Sequence, residues 1–150
     1  MTYRIEQVAV LGAGTMGAAI AAHLANAGIR VLLLDLAPSE LTEHERASGL
    51  TLHDRIVRDR VVRQGWERCL AGRPANLFSE RRGELVSLGN FDDDLARIAE
   101  VDWILEAVVE RLPAKQAIMA RIEALRRPDS IVSTNTSGLP IRGICAGRSA

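Results

Sequence analysis

A glycine-rich turn between an apolar run and an alanine-rich segment constrains this chain more than anything else in it. The turn is Gly12-Ala-Gly14-Thr-Met-Gly17, with Val8-Ala-Val-Leu ahead of it. Gly12 lets the chain leave a strand in a tight turn. Gly14 has no side chain, so backbone can come close to a pyrophosphate. Gly17 lets the following helix pack near the strand, and that helix's N-terminus offers unpaired N–H groups and positive dipole to phosphates. Asp35 closes the next apolar run, 23 residues after Gly12. That is near the spacing of about 20 residues at which an acid takes the adenosine ribose of a dinucleotide. Glycine turns are common, but here strand, helix and acid agree with one another. Asp35 would repel a 2′-phosphate and Leu36 brings no cation to receive one, which favours NAD over NADP.

The periodicity around this motif alternates strands with helices. Residues 5–11 and 30–34 read as buried strands, joined by a helix over 15–27 that ends at Gly28. Two such strands form a right-handed βαβ unit. From Ser39 to about Cys69 the pattern becomes a long charged helix. Leu41, Leu52, Ile56, Val61 and Val62 can supply its apolar stripe, and Asp54/Arg58 and Arg55/Asp59 fall at i,i+4. It is too long for a plain crossover, so residues 39–70 are predicted to project as a helical arm. Residues 84–89 read as a third, edge-like strand. The acids Asp92, Asp93 and Asp94 then lead into a short helix, where the macrodipole favours them; a metal cluster would need further converging oxygens. Strands at 101–109 and 130–134 alternate with helices at 114–125 and 139–145. The implied architecture is α/β, an open parallel sheet wound on both faces.

Composition bounds the function. A chain of 150 residues that is 47% apolar suits one domain with a real core. Nineteen basic and nineteen acidic residues leave no field that would draw it to nucleic acid or an anionic membrane. No apolar run approaches the length of about 18 residues that spans a bilayer. Cys69 and Cys145 are far apart, with no metal-site spacing, and read as two reduced thiols. The first strand begins too near Met1 for a leader, so a cytoplasmic protein is expected.

Two further polar groups fall where apolar strands end, which is where such sheets bind ligands. One is Glu106-Ala-Val-Val-Glu110 with Lys115 on the next helix; the other is Ser133-Thr-Asn135-Thr-Ser137. From residue chemistry alone, Glu110 and Lys115 could equally be helix-entry charges, and Asn135, Thr136 and Ser137 could merely cap a helix.

Together the three motifs, in this order and at these separations, resemble the NAD-binding domain of the 3-hydroxyacyl-CoA dehydrogenases, over residues 8–145. The stretch from Pro74 through Val101-Asp-Trp-Ile is most similar to the bacterial branch fused to an enoyl-CoA hydratase. The resemblance implies a Rossmann-type fold with NAD as cofactor. Gly12, Gly14 and Gly17 would lie under the pyrophosphate, with N–H donors from Thr15 and Met16, and Asp35 would take the adenine ribose. Glu110 and Lys115 would sit on the nicotinamide side, and Asn135 where cofactor meets substrate. Ser137 would be catalytic, holding the 3-oxygen of an L-3-hydroxyacyl-CoA or its 3-ketoacyl product. The helical arm would touch the CoA portion.

Oxidising a secondary alcohol also needs a base, and in this family a histidine oriented by a glutamate serves. His23, His44 and His53 all lie in helical patterns, outside the family's His-Phe-Phe-Asn-Pro context. The resemblance puts that histidine, the glutamate, the last strands of the domain and a helical substrate and dimerisation domain beyond residue 150. The expectation is therefore an incomplete dinucleotide domain, catalytically unfinished, exposing apolar sheet, whose parent is a homo-oligomer in fatty-acid β-oxidation. The alternatives are another Rossmann dehydrogenase, of the 3-hydroxy acid or 6-phosphogluconate type, or a non-catalytic NAD-binding module.

Overall fold

The computed structural model describes residues 4–148. Five parallel strands form one sheet in the order β3-β2-β1-β4-β5. They are β1 (Gln7–Leu11), β2 (Arg30–Asp35), β3 (Val86–Asn90), β4 (Trp103–Glu106) and β5 (Ile131–Thr134). The reversal of strand order lies between β1 and β4, where the chain first grows one way from β1 and then the other. The expected doubly wound, Rossmann-type sheet is what forms.

Alternation along the strands divides the core between two faces. Val8, Val10, Val31 and Leu33 face one side with Ala18, Ala21 and Ala22 of helix α1 (Thr15–Asn26). Ala9, Leu11, Leu32, Leu34 and Ile104 face the other, against Ile118, Met119 and Ile122 of α6 (Leu112–Leu125). Both faces are covered, which is why these strands read as continuous apolar runs. Helix α6 starts two residues earlier than the sequence pattern suggests, with Pro113 in its first turn.

The segment predicted as one projecting arm is three short helices strapped to the sheet. These are α2 (Glu43–Ala47), α3 (Arg55–Arg58) and α4 (Arg60–Leu70). A reciprocal cap starts α2: the Glu45 N–H donates to Thr42 Oγ1 at 3.2 Å and the Thr42 N–H to Glu45 Oε2 at 2.7 Å. Gly49, at φ +73°, ends it. Asp54 turns back to accept from Thr51 N–H and Oγ1 instead of pairing with Arg58. Arg58 reaches Asp93, Arg55 reaches Asp59 and Asp94, and Arg60 pairs with Glu45. Helix α4 then buries Val62, Trp66 and Cys69 against the α1 face. A buried side chain of that size contributes about 2 kcal/mol, enough to favour docking over a free arm.

The acids at 92–94 therefore serve a different end from the one their position suggested. The 3-10 helix that follows them (Leu95–Glu100) has no side-chain cap from Asp94. The carboxylates instead hold the strap. Short helices α5 (Glu80–Gly83) and α7 (Ile141–Ile144) complete the fold.

Candidate cofactor site

The carboxyl ends of the strands are tied together one rung beyond the sheet. The Gly12 N–H donates to the Leu34 carbonyl at 2.7 Å, Ala107 to Leu11 at 2.7 Å, Asn135 to Glu106 at 2.8 Å and Phe91 to Asp35 at 2.9 Å. A cleft of about 610 Å³ opens on this rim, at the switch in strand order. Clefts of this size and place are where such sheets take nucleotides.

The glycine turn runs along this cleft, and its three glycines meet different surroundings. Gly12 has φ +111°, and a Cβ there would stand 2.4 Å from the Ala107 carbonyl oxygen. A Cβ on Gly17 would stand 1.8 Å from the Gly12 carbonyl oxygen. Those two shape the turn itself. Gly14 is exposed, has ordinary backbone angles, and its Cβ would meet nothing within 4 Å. Nothing in the protein needs that space, so it is open to a ligand. Gly14 is also the N-cap of α1 and supplies no side-chain hydrogen bond, leaving the first-turn N–H groups for an anion.

Asp35 Oδ2 accepts from the Ala13 N–H at 2.6 Å, and Oδ1 from the Leu36 N–H at 2.7 Å. It thus braces the turn while standing on the cleft wall, and each oxygen keeps a lone pair for a ribose hydroxyl.

Across the cleft lies a charge network built on a buried Lys115–Glu106 pair. Lys115 Nζ donates to Glu106 Oε1 and Oε2, at 2.9 and 3.1 Å, and to the Val108 carbonyl at 3.2 Å, and it meets Glu110 Oε2 at 3.1 Å. Glu106 also accepts from the Val108 N–H at 2.7 Å and from Thr134 Oγ1 at 2.5 Å. The Val108 bond ends β4 at Glu106, short of the strand to residue 109 that hydropathy suggested. Glu110 Oε1 accepts from Thr136 Oγ1 and from the Gly138 N–H. The Thr136 hydroxyl, with Lys115 and Gly138 helping, holds the Glu110 carboxyl below its ordinary range.

Of the residues expected in the site, Gly12, Gly14, Thr15, Met16, Asp35, Glu110, Lys115 and Asn135 all line this one cleft. Gly17 is buried beneath the turn. Ser137 is exposed on the loop after β5, outside the cleft wall, but its neighbours Thr136 and Gly138 are both bound by Glu110. Glu106 and Thr134 were read as part of a motif but given no role; Glu106 holds Lys115, and the Thr134 hydroxyl donates to Glu106. Leu36, already read beside Asp35, extends the cleft on the side away from Ser137 together with Phe91, Ile118 and Arg121, which were not anticipated. Their signal is three-dimensional, since β2, β3 and α6 meet there. His23, His44 and His53 are exposed and none lines the cleft.

Among the described residues there is no cluster of His, Cys, Asp or Glu able to hold a metal, and no helix long and apolar enough to cross a membrane. Cys69 and Cys145 are free thiols.

Comparison with known proteins agrees with the geometry. The family profile described as "3-hydroxyacyl-CoA dehydrogenase, NAD binding domain" matches residues 7–149. A probable 3-hydroxyacyl-CoA dehydrogenase of Bacillus subtilis (strain 168) is 46% identical over 149 residues, 99% of this chain and 19% of that protein. A protein of the same description from Deinococcus radiodurans is 42% identical over 146 residues, 97% of this chain and 38% of that one. The crystal structure of 3-hydroxybutyryl-CoA dehydrogenase from Escherichia coli K12 superposes with a TM-score of 0.63 at 29% identity, covering 97% of this chain and 28% of that one. The chain thus spans well under half the length of these relatives. With its glycine turn, its Asp35 and its Glu110–Lys115 pair on one rim, the chain belongs to the NAD-binding domain family of the 3-hydroxyacyl-CoA dehydrogenases.

Proposed function

We propose that this chain is the cofactor-holding part of an oxidoreductase that moves a hydride between NAD and an L-3-hydroxyacyl-CoA, interconverting it with the 3-ketoacyl-CoA in fatty-acid oxidation. The observation that carries the reading is the open space over Gly14 at the N-terminus of α1, between Asp35 and Glu110. The N–H groups of Thr15 and Met16 would hold the pyrophosphate, and Asp35 the adenosine ribose. The Glu110 side of the cleft, with Asn135, would face the nicotinamide half. Bound there, NAD supplies the hydride acceptor.

The chain's own part is orientation. Lys115 has its donors engaged by Glu106, Glu110 and the Val108 carbonyl, so its role is to fix Glu110 rather than to reach for a ligand. Glu110 in turn holds the Thr136 hydroxyl and the Gly138 N–H on either side of Ser137, which is exposed to meet the 3-oxygen of a substrate. A serine of ordinary pKa is a poor base, and no histidine of residues 4–148 reaches the cleft. The reading leaves proton removal from the alcohol to a base outside these residues, in a parent that we read as an oligomer. The two free thiols fit the cytoplasm.

Titration of the chain with NADH and NADPH, followed by nicotinamide fluorescence, tests the cofactor reading. NADH is expected to bind at least tenfold tighter, and tighter NADPH binding overturns it. Assay with acetoacetyl-CoA and NADH tests the division of labour. Turnover matching a full-length dehydrogenase would sink the claim that these residues lack the base.

A further inference from the structure

One charged group on the cleft has no task in the reading above, the guanidinium of Arg121. Its Nη2 donates to the Phe91 carbonyl at 2.6 Å, a bond that crosses from α6 to the end of β3 and holds the planar head in place. Arg121 lines the cleft together with Leu36, Phe91 and Ile118. Among the described residues no carboxylate pairs with it, although Asp35 lines the same cleft. The cleft's other cation, Lys115, is already held by Glu106 and Glu110.

This end of the cleft therefore combines apolar walls, one carboxylate committed to the glycine turn, and one fixed, flat cation. An anionic group placed here would gain the guanidinium but meet the Asp35 carboxylate on the same cleft wall. A neutral aromatic ring would instead meet the aliphatic surfaces of Leu36 and Ile118 and a guanidinium, which is attracted to the π face of such a ring and stacks on it. A lysine at 121 could offer the charge but not the plane.

We propose that Arg121 recognises the adenine base, stacking on it from the α6 side while the Phe91 carbonyl sets its orientation. The proposal rests on the NAD reading and adds to it the residue that sets affinity for the base. Arg121 is then a binding residue for the half of the cofactor remote from hydride transfer.

The test is competition against bound NADH, using the whole chain as wild type, Arg121→Ala and Arg121→Lys, with 5′-AMP, 2′,5′-ADP and nicotinamide mononucleotide as competitors. Removal of the guanidinium is expected to weaken NADH and 5′-AMP alike, by about fivefold at an exposed site, and to leave nicotinamide mononucleotide unchanged. Arg121→Lys is expected to recover less than half of that loss. If Arg121→Ala melts early, Arg121→Gln keeps a donor for Phe91 and serves in its place. Unchanged 5′-AMP binding overturns the proposal, as does a loss confined to 2′,5′-ADP, which would make Arg121 a phosphate ligand. Failure of the wild-type chain to bind NADH would instead overturn the NAD reading itself.

Discussion

Lys115 donates to both carboxylate oxygens of Glu106, at 2.9 and 3.1 Å, with neither side chain more than 1% exposed. The pair lies beneath the cleft and joins α6 to the end of β4, while Thr134 ties the same carboxylate to β5. Burying two charges is costly, and such a pair contributes little net stability relative to apolar residues of the same volume. Its value here is geometric, because Glu110 and the Ser137 turn hang from it.

Neutralising Glu106 leaves the buried Lys115 with only the half-exposed Glu110 as counterion, so the cost falls at the low end of the roughly 3–5 kcal/mol for a buried charge stripped of its partner. Glu106→Gln is therefore expected to lower unfolding free energy by about 3 kcal/mol in urea melts. Adding Lys115→Met removes the cation that has lost Glu106 and is expected to restore at least half of that loss. A Glu106→Gln chain as stable as wild type would show that the pair does not carry its neighbours.

Gly14 and Gly65 are expected to separate binding from folding. A Cβ on Gly65 of α4 would stand 2.0 Å from the Ala13 carbonyl oxygen, in the middle of the glycine turn. Gly65→Ala is thus expected to cost about 1–3 kcal/mol through overpacking, outweighing the usual helix gain from alanine. Gly14→Ala meets no protein atom and is expected to keep wild-type stability while weakening NADH at least tenfold. Thermal melts beside NADH titrations check both, and a Gly14→Ala chain with unaltered NADH affinity would remove the pyrophosphate from this position.

The sheet, and the meeting of eight of the ten expected residues on one cleft, were legible because their signals are local. A glycine turn, an acid at the end of a strand and a lysine nine residues after Glu106 all keep fixed separations along the chain. Of the two same-helix pairs expected in the strap, Arg55–Asp59 forms at i,i+4, whereas Arg58 leaves Asp54 for a partner on another element. Arg58 and Asp93 are 35 residues apart and meet only once β3 is in place beside β2. Arg121 was missed for the same reason, since Phe91 and Leu36 approach it only in the folded sheet.

The two thiols are expected to differ in reactivity. Cys145 is exposed, whereas Cys69 is buried on the packed face of α4 and burial pushes its pKa up. The thiolate is the reacting form, so both effects slow Cys69. Ellman's reagent at pH 8 is expected to label Cys145 rapidly and Cys69 only when the chain unfolds. Two equally fast thiols would mean that α4 is not docked.

Asp93 offers the sharpest pH signature. Hydrogen bonds from the Arg58 guanidinium, then from Asn90, lower its pKa from 3.8 to about 2. A carboxyl whose folded pKa is depressed lends stability above its unfolded pKa and loses it as pH falls through the folded value. On acidification the unfolded chain takes up its proton first, near pH 3.8, and the contribution disappears by about pH 2. Carboxyl NMR is expected to place the Asp93 midpoint near 2, and Arg58→Ala to return it toward 3.8. Asp93→Asn is expected to flatten the fall in stability between those two pH values. A wild-type midpoint near the ordinary carboxylate value would mean that Arg58 does not hold the strap to the end of β3.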